Sequence, residues 1–484
     1  MHPWFRTLTE EVRDRRLDVD GAVPPWLDGA LVRNGPADFG MKDGHVNHWF
    51  DGLAMLRRFG FADGEVRYTN RFLRTNAYRA RVGGAVGATE FGTGPTSLLR
   101  RLGSLVLPTA TDNANVTVAA LGGRTVALTE TPKMVAFDPE TLLTFGSQTF
   151  DDDLPGQWTA AHVEHDGKRG ETVGFTLHFG RQSSYHVYRL EDGQREREEL
   201  ARIPVDEPAY IHSAGVTNRH VVLPEIPYTT TLRRLLSPGV ESFVDAFEWH
   251  GHANTPTRVH LVDRDDGDVR TVTAPPFFFF HTVNAFEDGP DTVVDLVAFA
   301  DAGVVDALAY DRVETGVVEA TGELRRLVIP TDGSGTVTSR TVAEDVALPR
   351  TAPTVRRRPY RYAYAQRTGS DDATGVVKVD VQTGTEQVWR EQHCFAGEPV
   401  FVPRTDEWGE REGEGKIKGE GANERGTDEH GSKAEDDGVV LAVVLDADRE
   451  RSFLLVLDGS TMDERARAWL PHALPLGFHG AYFQ

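Results

Sequence analysis

The chain contains a single cysteine, Cys394, and very little lysine. One cysteine excludes an intrachain disulfide framework and any zinc or iron–sulfur site that is held by four cysteines. Only seven of the 52 basic residues are lysines, and 74 acidic residues give the 484-residue chain a formal net charge of -22. Because such a surface repels phosphates, we expect no general binding of nucleic acid.

Long hydrophobic runs are also missing. No apolar stretch approaches the ~18 residues that a membrane-spanning helix requires, and the N-terminus lacks a basic segment followed by an apolar one. We therefore expect a cytoplasmic protein. An excess of acid together with scarce lysine is typical of a halophile, in which salt screens the self-repulsion and hydrated carboxylates keep the protein soluble. An ordinary acidic mesophilic protein is the alternative.

Signals for β-strands dominate the sequence. Short runs rich in Val, Thr, Phe and Tyr, such as Thr172–His178 and Val439–Leu445, are separated by Gly, Asp, Asn and Pro. Long amphipathic helices are few. The pattern predicts an all-β sandwich, barrel or propeller, and the chain length favours a propeller with long insertions. No clean repeat marks individual blades.

Three segments differ from this pattern. Thr96–Leu107 and Thr231–Leu236 combine apolar residues with a pair of arginines, which is typical of short helices at a membrane surface or a tunnel mouth. Helices that pack on the β core are the alternative. Thr405–Ala434 is rich in Gly, Glu, Lys and Arg, so we expect a flexible acidic insertion within a single domain that covers residues 1–484.

Four of the 17 histidines follow an apolar or small-residue stretch, where a strand is expected to enter the core: His162, His212, His281 and His479. A buried imidazole needs a hydrogen-bond partner or a metal. Separations of 50, 69 and 198 residues exclude a local zinc motif. Such ligands would have to converge from different structural units, as the inner strands of a propeller do. Taken singly, each is more readily explained as an ordinary core or surface histidine.

Nine short sequence motifs, or words, that are spread along the chain are more specific than the histidines themselves. In chain order they are Pro25–Pro36, His48–Gly52, Tyr68–Phe72, Asp112–Val116, Thr129–Pro132, Asn284–Asp288, Glu398–Pro403, Glu435–Val440 and Gly477–Gly480. Together they resemble the carotenoid cleavage oxygenase family, which includes apocarotenoid oxygenases, lignostilbene dioxygenases and the isomerohydrolase of the retinal pigment epithelium. The resemblance covers nearly the whole chain, and the predicted insertion falls between two of the words.

This resemblance implies a seven-bladed β-propeller, with loops and helices forming a dome over one iron(II) ion on the axis. The ligands of that ion, one per chain, would be His162, His212, His281 and His479. His162 is preferred to the nearby His165 because Ala161-His162 matches the family word. Imidazole suits iron, and an octahedral ion with four protein ligands keeps two positions open for O2 or water.

The resemblance also implies carboxylates behind the imidazoles, which fix their tautomers and orientation. The family uses glutamates behind three of its four histidines, and Glu130 and Glu398 match two of those places. Thr351 takes the third place, where a glutamate is usual. Further departures from the family words are Val163 and Ser213, directly after two of the histidines, and Leu53-Ala54. None of these departures removes a predicted ligand.

The function implied by the resemblance is cleavage of a conjugated C=C bond of a carotenoid or apocarotenoid with O2, giving two carbonyl products. An apolar polyene would be the substrate, and Phe280 would line its tunnel. A stilbene-cleaving dioxygenase and an O2-independent retinoid isomerase are alternatives within the family. A propeller that only binds a lipid or a partner is the non-enzymatic alternative.

Overall fold

The computed structural model describes residues 2–42, 44–83, 91–93, 111–235, 237, 240, 242–253, 255–315, 318, 320–331, 336–369, 372–404 and 434–484. The predicted segment 96–107 lies outside the described residues. The predicted insertion 405–434 also lies outside them, apart from Ala434.

The described chain is mainly β-structure, as predicted. Its first strands are β1 (Arg15–Arg16), β2 (Asp18–Gly21), β3 (Gly29–Arg33), β4 (Pro36–Asp38), β5 (Gly40–Met41), β6 (Gly44–His45), β7 (Leu53–Ala62), β8 (Glu65–Phe72), β9 (Thr117–Leu121), β10 (Arg124–Leu128), β11 (Met134–Phe137), β12 (Thr144–Gln148), β13 (Trp158–Thr159), β14 (Glu164–Asp166), β15 (Glu171–His178), β16 (Ser183–Glu191), β17 (Glu198–Val205) and β18 (Gly215–Val216).

The remaining strands are β19 (His220–Glu225), β20 (Tyr228–Thr229), β21 (Glu248–Trp249), β22 (Thr257–Asp263), β23 (Val269–Ala274), β24 (Phe278–Asp288), β25 (Asp291–Phe299), β26 (Glu323–Pro330), β27 (Thr338–Ala343), β28 (Val346–Thr351), β29 (Tyr362–Arg367), β30 (Gly375–Asp380), β31 (Glu386–Trp389), β32 (Cys394–Ala396), β33 (Val400–Pro403), β34 (Gly438–Asp446), β35 (Arg451–Asp458), β36 (Glu464–Trp469) and β37 (Gly480–Phe483).

Helices are short within the described residues. The α-helices are Asn76–Val82, Leu232–Leu235, Gly303–Ala307 and Tyr310–Val313, and the 3-10 helices are Pro3–Phe5, Trp49–Asp51, Val244–Ala246, Gly251–Ala253 and Pro353–Val355. No helix in the described part of the chain has both the length and the apolar character needed to cross a membrane.

Seven antiparallel sheets form the blades of a propeller, which confirms the predicted fold. Blade 1 has the order β37-β3-β7-β8-β1, with β4 beside β7; blades 2 and 3 contain β9–β12 and β13–β17. Blade 4 has the order β18-β19-β22-β23, and blades 5 and 6 contain β24–β27 and β28–β31. Blade 7 contains β32 and β33, both beside β34, followed by β35, β36 and β2. Two small ribbons, β5-β6 and β20-β21, lie outside the blades.

The middle strands of the blades are buried on both faces because each blade lies between two neighbours. In β25 and β35 every residue except the terminal ones is buried. Such strands read as continuous apolar runs, as the Ser-Phe-Leu-Leu-Val-Leu of β35 does. The outer strand β23 instead alternates between exposed and partly buried residues, since one of its faces meets solvent.

Strands from the two chain ends close the propeller ring. The C-terminal β37 pairs with β3, in the register Arg33↔Gly480 to Ala30↔Phe483. The N-terminal β2 pairs with β36 of blade 7, beginning at Asp18↔Trp469. Blades 1 and 7 are therefore each built from both ends of the chain, and the residues just before β37 are carried to the inner edge of blade 1.

Connections from blades 1 and 5 meet each other. His48 forms an isolated bridge with Ala309, and the Trp49 amide donates to the Leu308 carbonyl at 3.2 Å. Tyr310 donates its hydroxyl to the Phe5 carbonyl at 2.7 Å. Because blades 1 and 5 are not neighbours in the ring, these contacts span one end of the propeller and form part of the predicted dome.

Removal of the closing strand should destabilise the whole propeller. Deleting Phe478–Gln484 removes β37 and the buried ring of Phe478, which is 5% exposed. We expect a lower Tm in scanning calorimetry, since loss of a buried phenylalanine alone costs ~3–5 kcal/mol. Deleting 409–433, which the sequence predicts to lie outside the core, serves as the control and should leave Tm unchanged. An unchanged Tm for the C-terminal deletion would contradict the closing role of β37.

Candidate metal centre

The four singled-out histidines come from the inner edges of four different blades. His162 lies between β13 and β14 of blade 3, and His212 comes just before β18 of blade 4. His281 lies within β24 of blade 5, where the pairing with β25 shifts register between Phe279 and Thr282. His479 immediately precedes β37. The inner edges of the blades meet at the propeller axis, which brings together residues that are up to 317 positions apart in the chain.

One nitrogen of each imidazole lies within 4.8 Å of the others. The Nε2 atoms of His162 and His212 are 3.1 Å apart, and those of His281 and His479 are 3.0 Å apart. Neighbouring ligands of an octahedral ion with metal–nitrogen bonds of ~2.1 Å lie about 3.0 Å apart. The spacing of the four nitrogens therefore fits a single metal ion.

Three of the imidazoles, those of His162, His281 and His479, are held in the neutral form that can ligate a metal. Burial, reinforced by the neighbouring imidazoles, lowers the pKa of His162 and of His281 well below the ordinary value. Burial also lowers the pKa of His479 to about 4, against the opposing effect of Glu398. Neutral imidazoles point lone pairs at one another at physiological pH, so the cluster favours a cation.

Glu130 fixes the tautomer of His212. The Nδ1–H of His212 donates to Glu130 Oε1 at 2.6 Å, which leaves Nε2 free for the metal. The hydroxyl of Tyr210 donates to the same carboxylate at 2.9 and 3.1 Å. Burial and the neighbouring Glu130 raise the pKa of Tyr210 well above its ordinary value, so the phenol stays protonated as a donor.

Glu398 plays the corresponding part for His479. The Nδ1–H of His479 donates to Glu398 Oε1 at 2.7 Å, and the amide of Gly480 donates to Oε2 at 3.2 Å. Arg350 donates through Nε at 2.8 Å, and Arg33 also contacts the carboxylate. Burial alone would raise the pKa of Glu398, but Arg350, Arg33 and His479 together hold it well below the ordinary value.

His281 has no carboxylate partner among the described residues. Thr351 is buried at the end of β28, and no hydrogen bond joins it to His281. The backbone on both sides of His281 is held instead by Ser213, whose hydroxyl donates to the Phe280 carbonyl at 2.8 Å and accepts from the Thr282 amide at 3.0 Å. That Thr351 stands in the place of a third glutamate stays a prediction.

His165 lies apart from the cluster, although only three residues separate it from His162. Its side chain is 39% exposed and contacts Asp192 at 3.1 Å. The structure therefore brings His162, and not His165, to the propeller axis.

An aromatic wall lies beside the imidazoles. The Phe280 ring is 6% exposed, and its centroid lies 5.4 Å from that of His212. Phe280 contacts Phe278 at 4.9 Å and Phe50 at 6.0 Å between centroids, and Phe50 contacts Phe91 at 5.0 Å. One side of the cluster is thus lined by apolar rings, which suit a hydrocarbon ligand better than a charged one.

Three residues that hold the site were missed as site residues by the sequence reasoning: Arg33, Tyr210 and Arg350. Arg33 stands inside the word Pro25–Pro36, and Tyr210 precedes His212 by two residues, so both carried a positional signal. Arg350 is one of many arginines and carried no signal of its own.

Comparison with known sequences gives matches over almost the whole chain. The family model described as retinal pigment epithelial membrane protein matches residues 5–484. A carotenoid isomerooxygenase of Galleria mellonella is 30% identical, over 99% of this chain and 95% of the relative. Carotenoid cleavage dioxygenase 8 homolog A of Oryza sativa subsp. japonica is 32% identical, over 98% of this chain and 86% of the relative.

Comparison with solved structures gives the same result. A variant of the Synechocystis apocarotenoid oxygenase matches with a TM-score of 0.83 and 26% identity, over 100% of this chain and 98% of that one. A cobalt-substituted form of that protein matches with a TM-score of 0.82 and 25% identity, over the same shares. The sequence words, the propeller and both sets of matches agree, and the chain belongs to the carotenoid cleavage oxygenase family.

Proposed function

We propose that residues 1–484 form one catalytic domain, an iron(II)-dependent dioxygenase that cleaves a conjugated C=C bond of a carotenoid or apocarotenoid. The observation that carries this proposal is the cluster of four imidazoles beside the aromatic wall of Phe280. The metal proposed for it is one iron(II) ion per chain, held by His162, His212, His281 and His479. Relatives named as carotenoid cleavage enzymes support the choice of an apolar polyene as substrate.

The side chains divide the work between holding the metal and holding the substrate. Bound iron(II) supplies the one-electron chemistry that lets O2 react with a C=C bond. His162, His212, His281 and His479 would hold the ion, and four protein ligands would leave it room to take up O2. Phe280 and Phe50 present apolar rings to the polyene and exclude water from the reacting bond. Both oxygen atoms of O2 enter the two carbonyl products, so no further reductant is needed.

Turnover should consume oxygen in proportion to product. Iron-loaded protein, incubated aerobically at high salt with a panel of apocarotenoids, should give aldehyde or ketone fragments and take up about one O2 per bond cleaved. Oxygen electrode readings and product chromatography measure the two quantities. Carbonyl products from stilbenes alone would favour the stilbene-cleaving alternative. Isomerised product without oxygen uptake would favour the retinoid isomerase.

Removal of a single ligand should empty the metal site. Replacing any one of His162, His212, His281 or His479 with Ala should lower the iron content at least ~10-fold and abolish turnover. The matched control is His165→Ala, three residues from His162 but 39% exposed, which should keep the iron. Elemental analysis of the purified variants measures the metal content. A metal-replete His162→Ala variant beside a metal-free His165→Ala variant would reverse the assignment.

We also propose contact with a membrane surface, from the cytoplasmic side. In the predicted segment 231–236 the structure describes residues 231–235, of which Leu232–Leu235 form a helix. Leu232 is 39% exposed and is followed by Arg233 and by Arg234, which pairs with Glu248. An exposed apolar side chain next to cations suits an interface with anionic lipids. Such contact would give the protein direct access to membrane-dissolved polyenes.

Vesicle flotation tests this contact. The protein should float with vesicles that contain anionic lipid, and Leu232→Glu should weaken binding several-fold because it places an anion at the interface. The matched control is Leu143→Glu, since Leu143 is 45% exposed but lies next to β12 on blade 2. Equal binding of both variants, or no flotation of the wild type, would contradict the proposal.

A further inference from the structure

Arg350 joins three blades at the propeller axis. It lies on β28, in blade 6. Its Nε donates to Glu398 Oε1 at 2.8 Å, and Glu398 lies between β32 and β33 of blade 7. Its Nη2 donates to the carbonyl of Gly480 at 2.8 Å, and Gly480 is the first residue of β37 in blade 1. One guanidinium therefore spans the seam at which the ring is closed.

The peptide units on both sides of His479 are held by arginines. Arg33 donates through Nη2 to the Phe478 carbonyl at 2.9 Å, while Arg350 holds the Gly480 carbonyl on the other side. Glu398, which both arginines contact, accepts from the His479 ring and from the Gly480 amide. The backbone before and after the ring, and the ring itself, are thus fixed by one connected set of hydrogen bonds.

This set of bonds adds to the strand pairing that holds the segment of His479. The pairing of β37 begins at Gly480, so it leaves His479 and the residues before it to other contacts. Of the two arginines, Arg33 belongs to β3, which already pairs with β37. Arg350 is the one that reaches this segment from outside the paired strands, so it adds a restraint that strand pairing cannot supply.

We propose that Arg350 is a positioning residue for the metal centre: it acts through Glu398 and Gly480 to hold His479 in ligating position, and so couples ring closure to metal binding. The inference rests on the proposed metal site. A positioning role and a purely electrostatic role predict opposite changes in metal affinity when Arg350 is replaced. A nearby cation repels a metal dication, so loss of the charge alone would tighten metal binding. Loss of positioning would weaken it.

Titration of the full-length, metal-free chain with Co2+ distinguishes the two roles. Arg350→Gln keeps a polar side chain but loses the charge and the two-armed geometry, and we expect Co2+ to bind about 10–100-fold more weakly. Arg350→Lys keeps the charge but offers a single ammonium for two separate acceptors, so it should fall between wild type and Arg350→Gln. It also serves as the second variant if Arg350→Gln does not fold.

A matched control separates positioning from general destabilisation. Arg326 makes a two-armed pair with Asp295 in blade 5, at 2.8 and 2.7 Å, and its side chain is 14% exposed. Arg326→Gln should lower Tm but leave the Co2+ affinity unchanged. Hydrogen exchange supplies a second readout: the Phe478 and Gly480 amides should exchange faster in Arg350→Gln than in Arg326→Gln, and Co2+ should slow that exchange.

Two results would overturn the inference. Co2+ affinity in Arg350→Gln that equals or exceeds the wild-type affinity would show that Arg350 acts only as a charge. Equal losses of affinity in Arg350→Gln and Arg326→Gln would show a general loss of stability. A wild-type chain that binds no Co2+ would instead contradict the proposed metal site itself, so the two failures are distinguishable.

Discussion

The pairing of β37 with β3 is the contact on which both the propeller and its centre depend. Because β37 follows β36 of blade 7 in the chain and pairs with β3 of blade 1, it joins the last blade to the first. Here four residue pairs, from Arg33↔Gly480 to Ala30↔Phe483, make that join. The residue just before the pairing begins is His479, so the closed ring and the complete imidazole cluster form together.

The two carboxylates behind the cluster are compensated differently. Glu130 receives hydrogen bonds from the neutral Tyr210 hydroxyl and from His212, so its negative charge remains available to the centre. Glu398 is contacted by two guanidinium groups, those of Arg33 and Arg350. Burying a charge is costly unless other groups pair with it or hydrogen-bond to it; Glu398 has both kinds of contact, and Glu130 is hydrogen-bonded. Glu130 would offset the charge of a bound ion, whereas Glu398, which is paired with two arginines, would mainly orient His479.

Sequence reasoning found the parts of the site that are local in the chain. His479 stands in the word Gly477–Gly480, and His212 was predicted as a ligand because it follows an apolar stretch and fits the resemblance. Glu130 and Glu398 were singled out from their own words and hydrogen-bond to those two imidazoles. The blades themselves left no repeat in the sequence, because a blade needs buried residues on both faces and no particular residue at any position. Strands such as β25 therefore predicted β-structure but not the number of blades.

Arg350 marks the limit of that reasoning. Its partners Glu398 and Gly480 lie 48 and 130 residues away, in two other blades. Their proximity follows from the order in which blades close into a ring, and no spacing within one chain segment encodes it. Thr351, the next residue, shows the reverse case, since the resemblance singled it out while no hydrogen bond joins it to His281, the imidazole without a carboxylate partner among the described residues.

The surface of the protein and its centre differ in how their charges are balanced. The chain carries a net charge of -22, yet beside the imidazoles Glu398 is paired with two cations, Arg33 and Arg350. Salt screens exposed pairs, such as that between Arg67 and Asp14, far more than buried ones. The Arg33–Glu398 pair, only 4% and 1% exposed, keeps its strength at salt concentrations that screen the acidic surface. The acidic exterior and the buried ion pairs at the axis can therefore be tuned independently in one fold.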